Sequence, residues 1–181
     1  MDLHETVVAT RAVYQGHYLR AEERTVRLPD GREARREVVV PPNAVGVLPV
    51  TDDGTVYLVR QYRTAVERAI LEIPAGIFEP GESPTQTARR ECAEEIGLTP
   101  GRLDPLFGYY HSVGFSTGRI EVFLGRDLQP APHARPDGTE LLEVVAMPFV
   151  ELLDRVRRGD IVDSKTLLAA LWYQTFLSRG D

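Results

Sequence analysis

The sequence GIFEPGESPTQTARRECAEEIGL, residues 76–98, contains the signals of a loop that leads into a helix. Ser83 followed by Pro84 predicts the helix start, because a serine side chain accepts an unpaired backbone N–H and proline fits the first turn. Gln86 lies three residues after Ser83 and completes a capping box. The next Gly or Pro is Gly97, which predicts the helix end.

Three carboxylates of this stretch, Glu91, Glu94 and Glu95, fall on the predicted helix. At about 100° per residue, Glu91 and Glu95 project from nearly the same side, with Glu94 beside them. Glu82 lies in the loop before the helix. Like charges at this spacing repel, so the cluster is unfavourable unless a cation lies against it. Carboxylate oxygens favour Mg²⁺ or Mn²⁺ as that cation.

The adjoining side of the helix is apolar. Ala88, Cys92 and Ile96 follow one another at intervals of four residues and form a stripe that can pack on a sheet. Cys92 is the only cysteine, so no intramolecular disulfide is possible, and a buried apolar role is expected. The alternative for the acidic side is a solvated face balanced by Arg89 and Arg90.

The glycines and acids of residues 76–98 stand at every defining position of the Nudix box, which the segment resembles. Residues 59–63, 71–76 and 163–166, with the extended N-terminal segment, resemble the ADP-ribose pyrophosphatase and nucleoside diphosphate sugar hydrolase branch. The resemblance implies Mg²⁺-dependent cleavage of such a diphosphate into a nucleoside monophosphate and a sugar phosphate, with Mn²⁺ as an alternative metal.

Apolar and alternating runs predict the other elements. The expected strands are 6–14, 18–28, 32–40, 44–50, 55–62, 70–73, 106–110, 120–124 and 142–147. Two helices are expected after them, Phe149–Arg158 and one capped by Asp163 or Ser164. The last helix bears Leu167, Leu168, Leu171, Trp172 and Phe176. This order indicates an α+β fold, a mixed α/β/α sandwich.

The expected division of the chain is 1–41, an N-terminal antiparallel β extension, and 42–181, a Nudix hydrolase domain. The break at Pro41 and Pro42 separates the two. In the branch that the chain resembles, the N-terminal strands commonly reach a partner subunit. The resemblance therefore implies a homodimer formed through this extension.

The resemblance also implies a set of metal ligands and supporting acids. The ligands are Glu91, Glu95 and the carbonyl of Ala75, and the supporting acids are Glu94 and Glu82. Arg90 lies four residues before Glu94 and can pair with it along the helix, which would hold the carboxylate in place.

Four further residues are candidates for substrate binding. Arg36 and Arg63 match positions that grip the diphosphate or nucleotide, although each also fits an exposed charge near a strand end. Glu72 can face either a substrate cleft or the wet side of a half-buried strand. Phe115 can stack on a base or sugar, or it can belong to the core.

The resemblance implies that a carboxylate from a loop near the C-terminal strand activates the attacking water. Residues 136–140 form such a loop, and Glu140 is the first candidate for the general base. Glu143 at the strand edge is the second candidate. A box glutamate such as Glu94 remains the third option.

Substrate choice departs from the pattern of strict ADP-ribose hydrolases. In the loop His111 to Gly118, Val113 stands where those enzymes usually have proline, and Gly118 replaces an acid. The departure favours a broader or different nucleoside diphosphate sugar hydrolase. The alternatives are a pyrophosphatase that removes damaged nucleoside triphosphates and a non-catalytic module that binds nucleotide sugars.

Composition excludes several other classes. The formal net charge of −6 argues against a nucleic-acid surface, which normally has clustered basic excess. No apolar run approaches the roughly 18 residues of a membrane span. Residues 1–10 contain two acids and no long apolar run, unlike an ordinary secretory signal. A cytoplasmic protein is expected.

Overall fold

The computed structural model describes residues 1–132 and 141–178. The strands there are β1 (Thr6–Gln15), β2 (Arg20–Arg27), β3 (Glu33–Val40), β4 (Ala44–Pro49), β5 (Thr55–Arg63), β6 (Arg68–Glu72), β7 (Ala75–Ile77), β8 (Leu98–Tyr110), β9 (Arg119–Pro130) and β10 (Leu142–Pro148). The helices are α1 (Pro84–Ile96), α2 (Phe149–Arg158) and α3 (Ser164–Trp172). A π-helical turn, Tyr173–Leu177, continues α3.

The chain divides into two compact units, of which the first contains residues 1–43 and 109–119. Its strands form an antiparallel meander in the order β1-β2-β3. The loop after β8 belongs to this unit: the N–H of Val39 donates to the carbonyl of Phe115 at 2.7 Å, and the carbonyl of Val39 accepts from Thr117 at 3.0 Å. The expected boundary after residue 41 stays a prediction, and it did not include this loop.

The second unit contains residues 44–108 and 120–181 and holds two sheets. One sheet has the order β10-β5-β6 and is antiparallel. The other has the order β7-β4-β9-β8, in which β4 pairs parallel with β9 and antiparallel with β7. The strands at the middle of each sheet, β4, β5 and β9, each contain a run of buried apolar residues. Helices α1 and α3 contact β4, and helices α1 and α2 contact β5.

Alternate residues of β4 meet different helices. Val45 and Val47 are fully buried against the stripe predicted on α1, which consists of Ala88, Cys92 and Ile96. On the opposite face, a Cβ added to Gly46 would lie 3.6 Å from Cδ of Lys165 in α3. Helix α2 packs beside α3 against β5 and β10. The α/β/α sandwich expected from the sequence is therefore confirmed.

Several strands differ from the sequence-based prediction, and β9 continues to Pro130 where an end at residue 124 was expected. β7 was missed because three residues after a proline give no periodicity. β8 begins at Leu98 rather than at residue 106, although it contains Pro100 and Pro105. β8 lies at the edge of its sheet, where a missing N–H need not remove a ladder hydrogen bond.

The buried side of α3 is formed by residues other than its leucines. Lys165, Thr166, Ala169 and Ala170 are buried, whereas the larger residues of the helix and the following turn are largely exposed in this chain: Leu168, Leu171, Trp172 and Phe176. Small side chains allow the helix to lie close to the sheet. None of the helices within the described ranges has the length and apolar character needed to cross a bilayer.

Candidate active site

The local signals at both ends of α1 are present as predicted. Gln86 donates its backbone N–H to Oγ of Ser83 at 3.4 Å, and its side-chain oxygen accepts from the N–H of Ser83 at 2.9 Å. Gly97 has a φ of 67°, the left-handed conformation that ends a helix most easily as glycine. The box helix therefore has a fixed beginning and a fixed end.

The loop before α1 fixes the carboxylate of Glu82. Oε2 of Glu82 accepts from the N–H of Glu79 at 3.1 Å and from the hydroxyl of Thr87 at 2.7 Å. Thr87 is fully buried, and sequence reasoning did not select it. Its only sequence signal is its position one turn after the cap, where a threonine hydroxyl can reach back to the preceding loop.

Arg90 connects the acids of the box. Its Nε and Nη2 donate to the two oxygens of Glu82 at 2.9 and 3.1 Å. Its Nη1 donates to Glu91 at 2.8 Å and to Glu94 at 3.0 Å. The pair with Glu94 was expected, and the structure adds Glu82 and Glu91 to it. A single guanidinium therefore offsets much of the repulsion among three carboxylates.

Two box carboxylates, those of Glu91 and Glu95, lie against the backbone of β7. Oε2 of Glu95 accepts from the N–H of Ala75 at 2.9 Å. Glu91 packs so closely on Gly76 that a Cβ at this position would overlap its carboxylate. Both Glu91 and Glu95 are buried. A glycine is therefore needed at position 76, because only a residue without a side chain lets the carboxylate of Glu91 lie this close to the backbone.

These contacts change the proton affinities of the site. The hydrogen bonds from Arg90 and Thr87 lower the pKa of Glu82 from 4.5 to about 2. The same pairing raises the pKa of Arg90 above its already high value. Burial, with the nearby charges of Glu95 and Glu91, raises the pKa of Cys92, so its thiol stays protonated. Cys92 is a packing residue here.

The donor set suits a hard divalent cation. Glu91, Glu94, Glu95 and the carbonyl of Ala75 supply only oxygen, the donor type that Mg²⁺ and Mn²⁺ prefer. Within residues 1–132 and 141–178, no three His, Cys, Asp or Glu side chains are arranged closely enough to hold a metal. Arg90 holds one oxygen of Glu91 and one oxygen of Glu94.

Arg63 lies at the end of β5 and pairs with Glu72 at the end of β6. Nε of Arg63 donates to Oε1 of Glu72 at 2.6 Å, and Nη2 donates to Oε2 at 2.9 Å. Glu72 is 1% exposed, so the expectation that its side chain faces the wet side of the strand is wrong. Paired charges overcome the cost of burying its carboxylate.

A second cation contacts Glu72 from α3. Nζ of Lys165 donates to Oε2 of Glu72 and, at 3.0 Å, to Oδ1 of Asp163. Asp163 caps α3 as expected, because its Oδ2 accepts from the N–H of Thr166 at 3.0 Å. The hydroxyl of Thr166 in turn accepts from the N–H of Ile73 at 2.8 Å. Sequence analysis named Lys165 only as part of the branch resemblance.

The two candidates for the general base have different outcomes. Glu140 lies outside the described residues. Glu143 lies on β10 opposite Arg60 of β5, to which it is bonded at 3.0 Å, and its carboxylate is largely exposed. Glu143 and Arg60 line an open depression of about 450 Å³ together with Tyr62 and Leu141. The role of Glu143 as a general base remains a prediction.

The other two substrate candidates lie in the first unit. Arg36 of β3 binds Glu5 through two hydrogen bonds of 3.0 and 2.5 Å. Phe115 is exposed, which makes a core role wrong. Arg36 and Arg63 thus each donate two hydrogen bonds to one carboxylate, which is also the way in which arginine binds a phosphate.

Comparison with known protein families assigns the chain. The family model described as NUDIX domain matches residues 40–169. The chain belongs to the Nudix family. A second model, the nucleoside diphosphate sugar hydrolase N-terminal domain, matches residues 5–39. The family and the branch that the sequence resembles are thereby confirmed, and the chain is a Nudix hydrolase.

Relatives with known names agree with this assignment. An ADP-ribose pyrophosphatase of Bacillus subtilis is 37% identical over 173 residues, which are 95% of this chain and 94% of the relative. A methanol dehydrogenase activator of Bacillus methanolicus is 32% identical over 94% of this chain and 92% of its own. A GDP-mannose pyrophosphatase of Cronobacter sakazakii is 34% identical over 77% of this chain and 78% of its own.

A solved structure has the same fold. The crystal structure of an ADP compounds hydrolase superposes on this Nudix hydrolase with a TM-score of 0.85 at 23% identity. The match covers 96% of this chain and 95% of the other. The mixed sheets and their helices are therefore arranged as in that protein.

We expect Glu82→Gln to destabilise the protein at neutral pH and much less in acid. The folded pKa of Glu82 lies near 2 and its unpaired value is 4.5, so its stabilisation is complete above pH 4.5 and is lost as the pH falls toward 2. Urea unfolding of both proteins between pH 7 and pH 3 measures the difference.

Ser83→Ala is the control, because it removes a neutral cap from the same turn and its effect should not depend on pH. A Glu82→Gln difference that stays constant over the same range would show that Arg90 does not stabilise the charged form of Glu82.

Proposed function

We propose that this Nudix hydrolase is a Mg²⁺-dependent pyrophosphohydrolase of ADP-ribose or related nucleoside diphosphate sugars. The products are a nucleoside monophosphate and a sugar phosphate. Mn²⁺ is the proposed substitute metal. The observation that carries the proposal is the succession of two family matches along one chain, the sugar hydrolase N-terminal domain at 5–39 and the Nudix domain at 40–169.

Two kinds of relative support the breadth of the proposed substrate class. Relatives at 37% and 34% identity are named for ADP-ribose and for GDP-mannose, which differ in both base and sugar but share a diphosphate linked to a sugar. The loop 111–118, with Val113 and Gly118, already favoured a hydrolase that is not restricted to ADP-ribose. The common chemical feature is the nucleoside diphosphate sugar.

We assign the cation to Glu91, Glu95 and the carbonyl of Ala75, with Glu94 and Glu82 as supporting acids. A divalent cation there would neutralise charge on the phosphates and increase the acidity of a water. Arg90 orients the carboxylates through its pairs with Glu82, Glu91 and Glu94. Its role is proposed to be catalytic through this orientation.

The arginines and the base complete the proposed chemistry. Arg63 and Arg36 bind phosphate oxygens, and Glu72 orients Arg63 by holding one edge of its guanidinium. Phe115 stacks on the base or sugar. A carboxylate accepts a proton from the attacking water, and Glu140, Glu143 and Glu94 are the candidates in that order.

A nucleoside triphosphate pyrophosphatase is the alternative within the same family. The match of residues 5–39 does not favour a triphosphate substrate, because the matched model is the N-terminal domain of nucleoside diphosphate sugar hydrolases. A non-catalytic binding module is the alternative from another class, and the complete box argues against it. Turnover of triphosphates far above that of diphosphate sugars would reverse the first choice.

We expect Glu95→Gln to lose most Mg²⁺-dependent turnover of ADP-ribose, by about a hundredfold or more, while the wild-type protein releases AMP. The measurement is a screen of ADP-ribose, GDP-mannose and other diphosphate sugars with Mg²⁺ and with Mn²⁺, reading released monophosphate. Glu79→Gln, a change in the loop before α1 and outside the proposed ligand set, is the control.

A wild-type protein that releases no monophosphate from any of these substrates would contradict the proposed function. Equal turnover by wild type and Glu95→Gln would instead contradict the assignment of the metal ligand.

We expect Glu140→Gln to lower kcat by about a hundredfold or more with metal affinity unchanged, because the general base acts on the water and not on the cation. Glu143→Gln is the matched variant three residues later. Measuring kcat and Mn²⁺ affinity for both separates the candidates, and a loss in Glu143→Gln alone would move the assignment to that residue.

We also propose a homodimer formed through the N-terminal strands and a cytoplasmic location. Every residue of β1 is exposed in the isolated chain, including Val7, Val8 and Val13, and β1 lies at the edge of its sheet. Such an edge commonly pairs with another chain. Light scattering should give twice the mass of one chain, reduced to a single mass when residues 1–15 are deleted; cell fractionation tests the location.

A further inference from the structure

Lys165 is the only lysine in this chain. The sequence contains 21 basic residues of the lysine and arginine type, and arginine accounts for all the others. Lys165 is also 7% exposed, whereas lysine is almost never buried unless it is paired. All other basic side chains of this type are arginine, whereas the single lysine side chain is buried. This indicates that the position of Lys165 requires a lysine.

The partner of Lys165 is the carboxylate that orients Arg63. Glu72 binds the Nε and Nη2 edge of the guanidinium, at 2.6 and 2.9 Å. Among residues 1–132 and 141–178, no acceptor bonds to Nη1 of Arg63, and the side chain is 41% exposed. The outer edge, formed by Nη1 and Nη2, therefore remains available for two parallel hydrogen bonds to a phosphate group.

The position of that outer edge depends on Glu72 staying where it is. The backbone end of β6 is anchored nearby, since the N–H of Ile73 donates to Thr166 at 2.8 Å. Nζ of Lys165 donates a hydrogen bond to Oε2 of the Glu72 carboxylate. The same Nζ donates to Oδ1 of Asp163 at 3.0 Å. The four side chains Arg63, Glu72, Lys165 and Asp163 carry two positive and two negative charges, so the group is neutral.

We propose that Lys165 is a positioning residue for substrate binding, which acts through Glu72 to present the outer edge of Arg63 to the diphosphate. The inference rests on the proposed function, because it assigns Arg63 to a diphosphate substrate. When Arg63 also binds the phosphate, Lys165 continues to balance the negative charge of Glu72. The guanidinium of Arg63 can then interact with both the carboxylate and the phosphate. Without Lys165, Arg63 is the principal counter-charge of a buried carboxylate.

The contacts of Lys165 suit the compact charge of an ammonium. Its stem passes beside the backbone of β4, where a Cβ on Gly46 would lie 3.6 Å from Cδ. An ammonium is a compact charge that donates in three directions, and it reaches Glu72 and Asp163 together. A planar guanidinium is larger and donates in a fixed fork, so Lys165→Arg is not expected to reproduce both contacts.

The variant that tests the inference is Lys165→Met, which keeps the length of the side chain and removes the charge. KM for ADP-ribose should rise by about tenfold or more, as for other partners that orient a ligand-binding group, while kcat changes by less than about threefold. Lys165→Arg should restore the charge without restoring KM. Arg155→Met, which removes a cation from α2, should leave both parameters unchanged.

A double-mutant cycle with Arg63→Ala decides whether Lys165 acts through Arg63. The effect of Lys165→Met on KM should disappear in the Arg63→Ala background, since the residue to be oriented is gone. An equal effect in both backgrounds, or an unchanged KM in Lys165→Met, would overturn the inference. Absence of wild-type turnover would contradict the proposed function instead, so the two failures are distinguishable.

Because the chain has one lysine, ¹⁵N-lysine labelling gives a single side-chain signal and a test that needs no variant at position 165. Addition of an α,β-methylene analogue of ADP-ribose should shift this signal in the wild type and not in Arg63→Ala. A wild-type signal that does not move at saturating analogue would overturn the inference, even where Lys165→Met fails to fold.

Discussion

The candidate active site depends on the pairing of one guanidinium, that of Arg90, with three carboxylates. Glu82, Glu91 and Glu94 would repel one another if they were gathered without a cation, and Arg90 lies between them with five hydrogen bonds from 2.8 to 3.1 Å. The fifth of these bonds goes to the carbonyl of Ile77, so Arg90 also ties β7 to α1. Electrostatics and backbone position are fixed by the same side chain.

This arrangement has a consequence for a divalent cation. The protein carries its own positive charge at the place where the acids converge, so the folded chain tolerates the cluster before any metal binds. A divalent cation bound by Glu91 and Glu94 would share these carboxylates with Arg90, so it would not enter an uncompensated cluster. Glu95 is different, because its carboxylate is held by the N–H of Ala75 and not by the guanidinium.

Much of the box could be predicted from the sequence because its determinants are local. Ser83, Gln86 and Gly97 set the ends of α1, and the interval of four residues between Arg90 and Glu94 sets their contact. The pairing of Arg90 with Glu82 was not predicted, since it depends on how the loop turns back at Gly81. Periodicity describes a helix well and describes the path of a loop poorly.

Contacts between distant parts of the chain could not be predicted. Lys165 and Glu72 are 93 residues apart, and no spacing rule relates them. The same limit applies to α3, because the burial of Ala169 and Ala170 is a property of packing. Family matches supply the branch and the reaction class, which neither spacing nor packing gives.

The segment 72–76 links the ion-pair group of Arg63, Glu72, Lys165 and Asp163 to the acids of the box, Glu95 and Glu91, residue by residue. Each of its five positions is attached to a different neighbour, and the partners in order are Arg63 with Lys165, then Thr166, Val47, Glu95 and Glu91. Because side chains and backbone groups alternate in direction along an extended chain, inserting or deleting one residue here would move the attachments beyond the change out of register. The length of this segment is therefore fixed by geometry, whereas turns such as 51–54 can absorb insertions and deletions as homologous genes diverge.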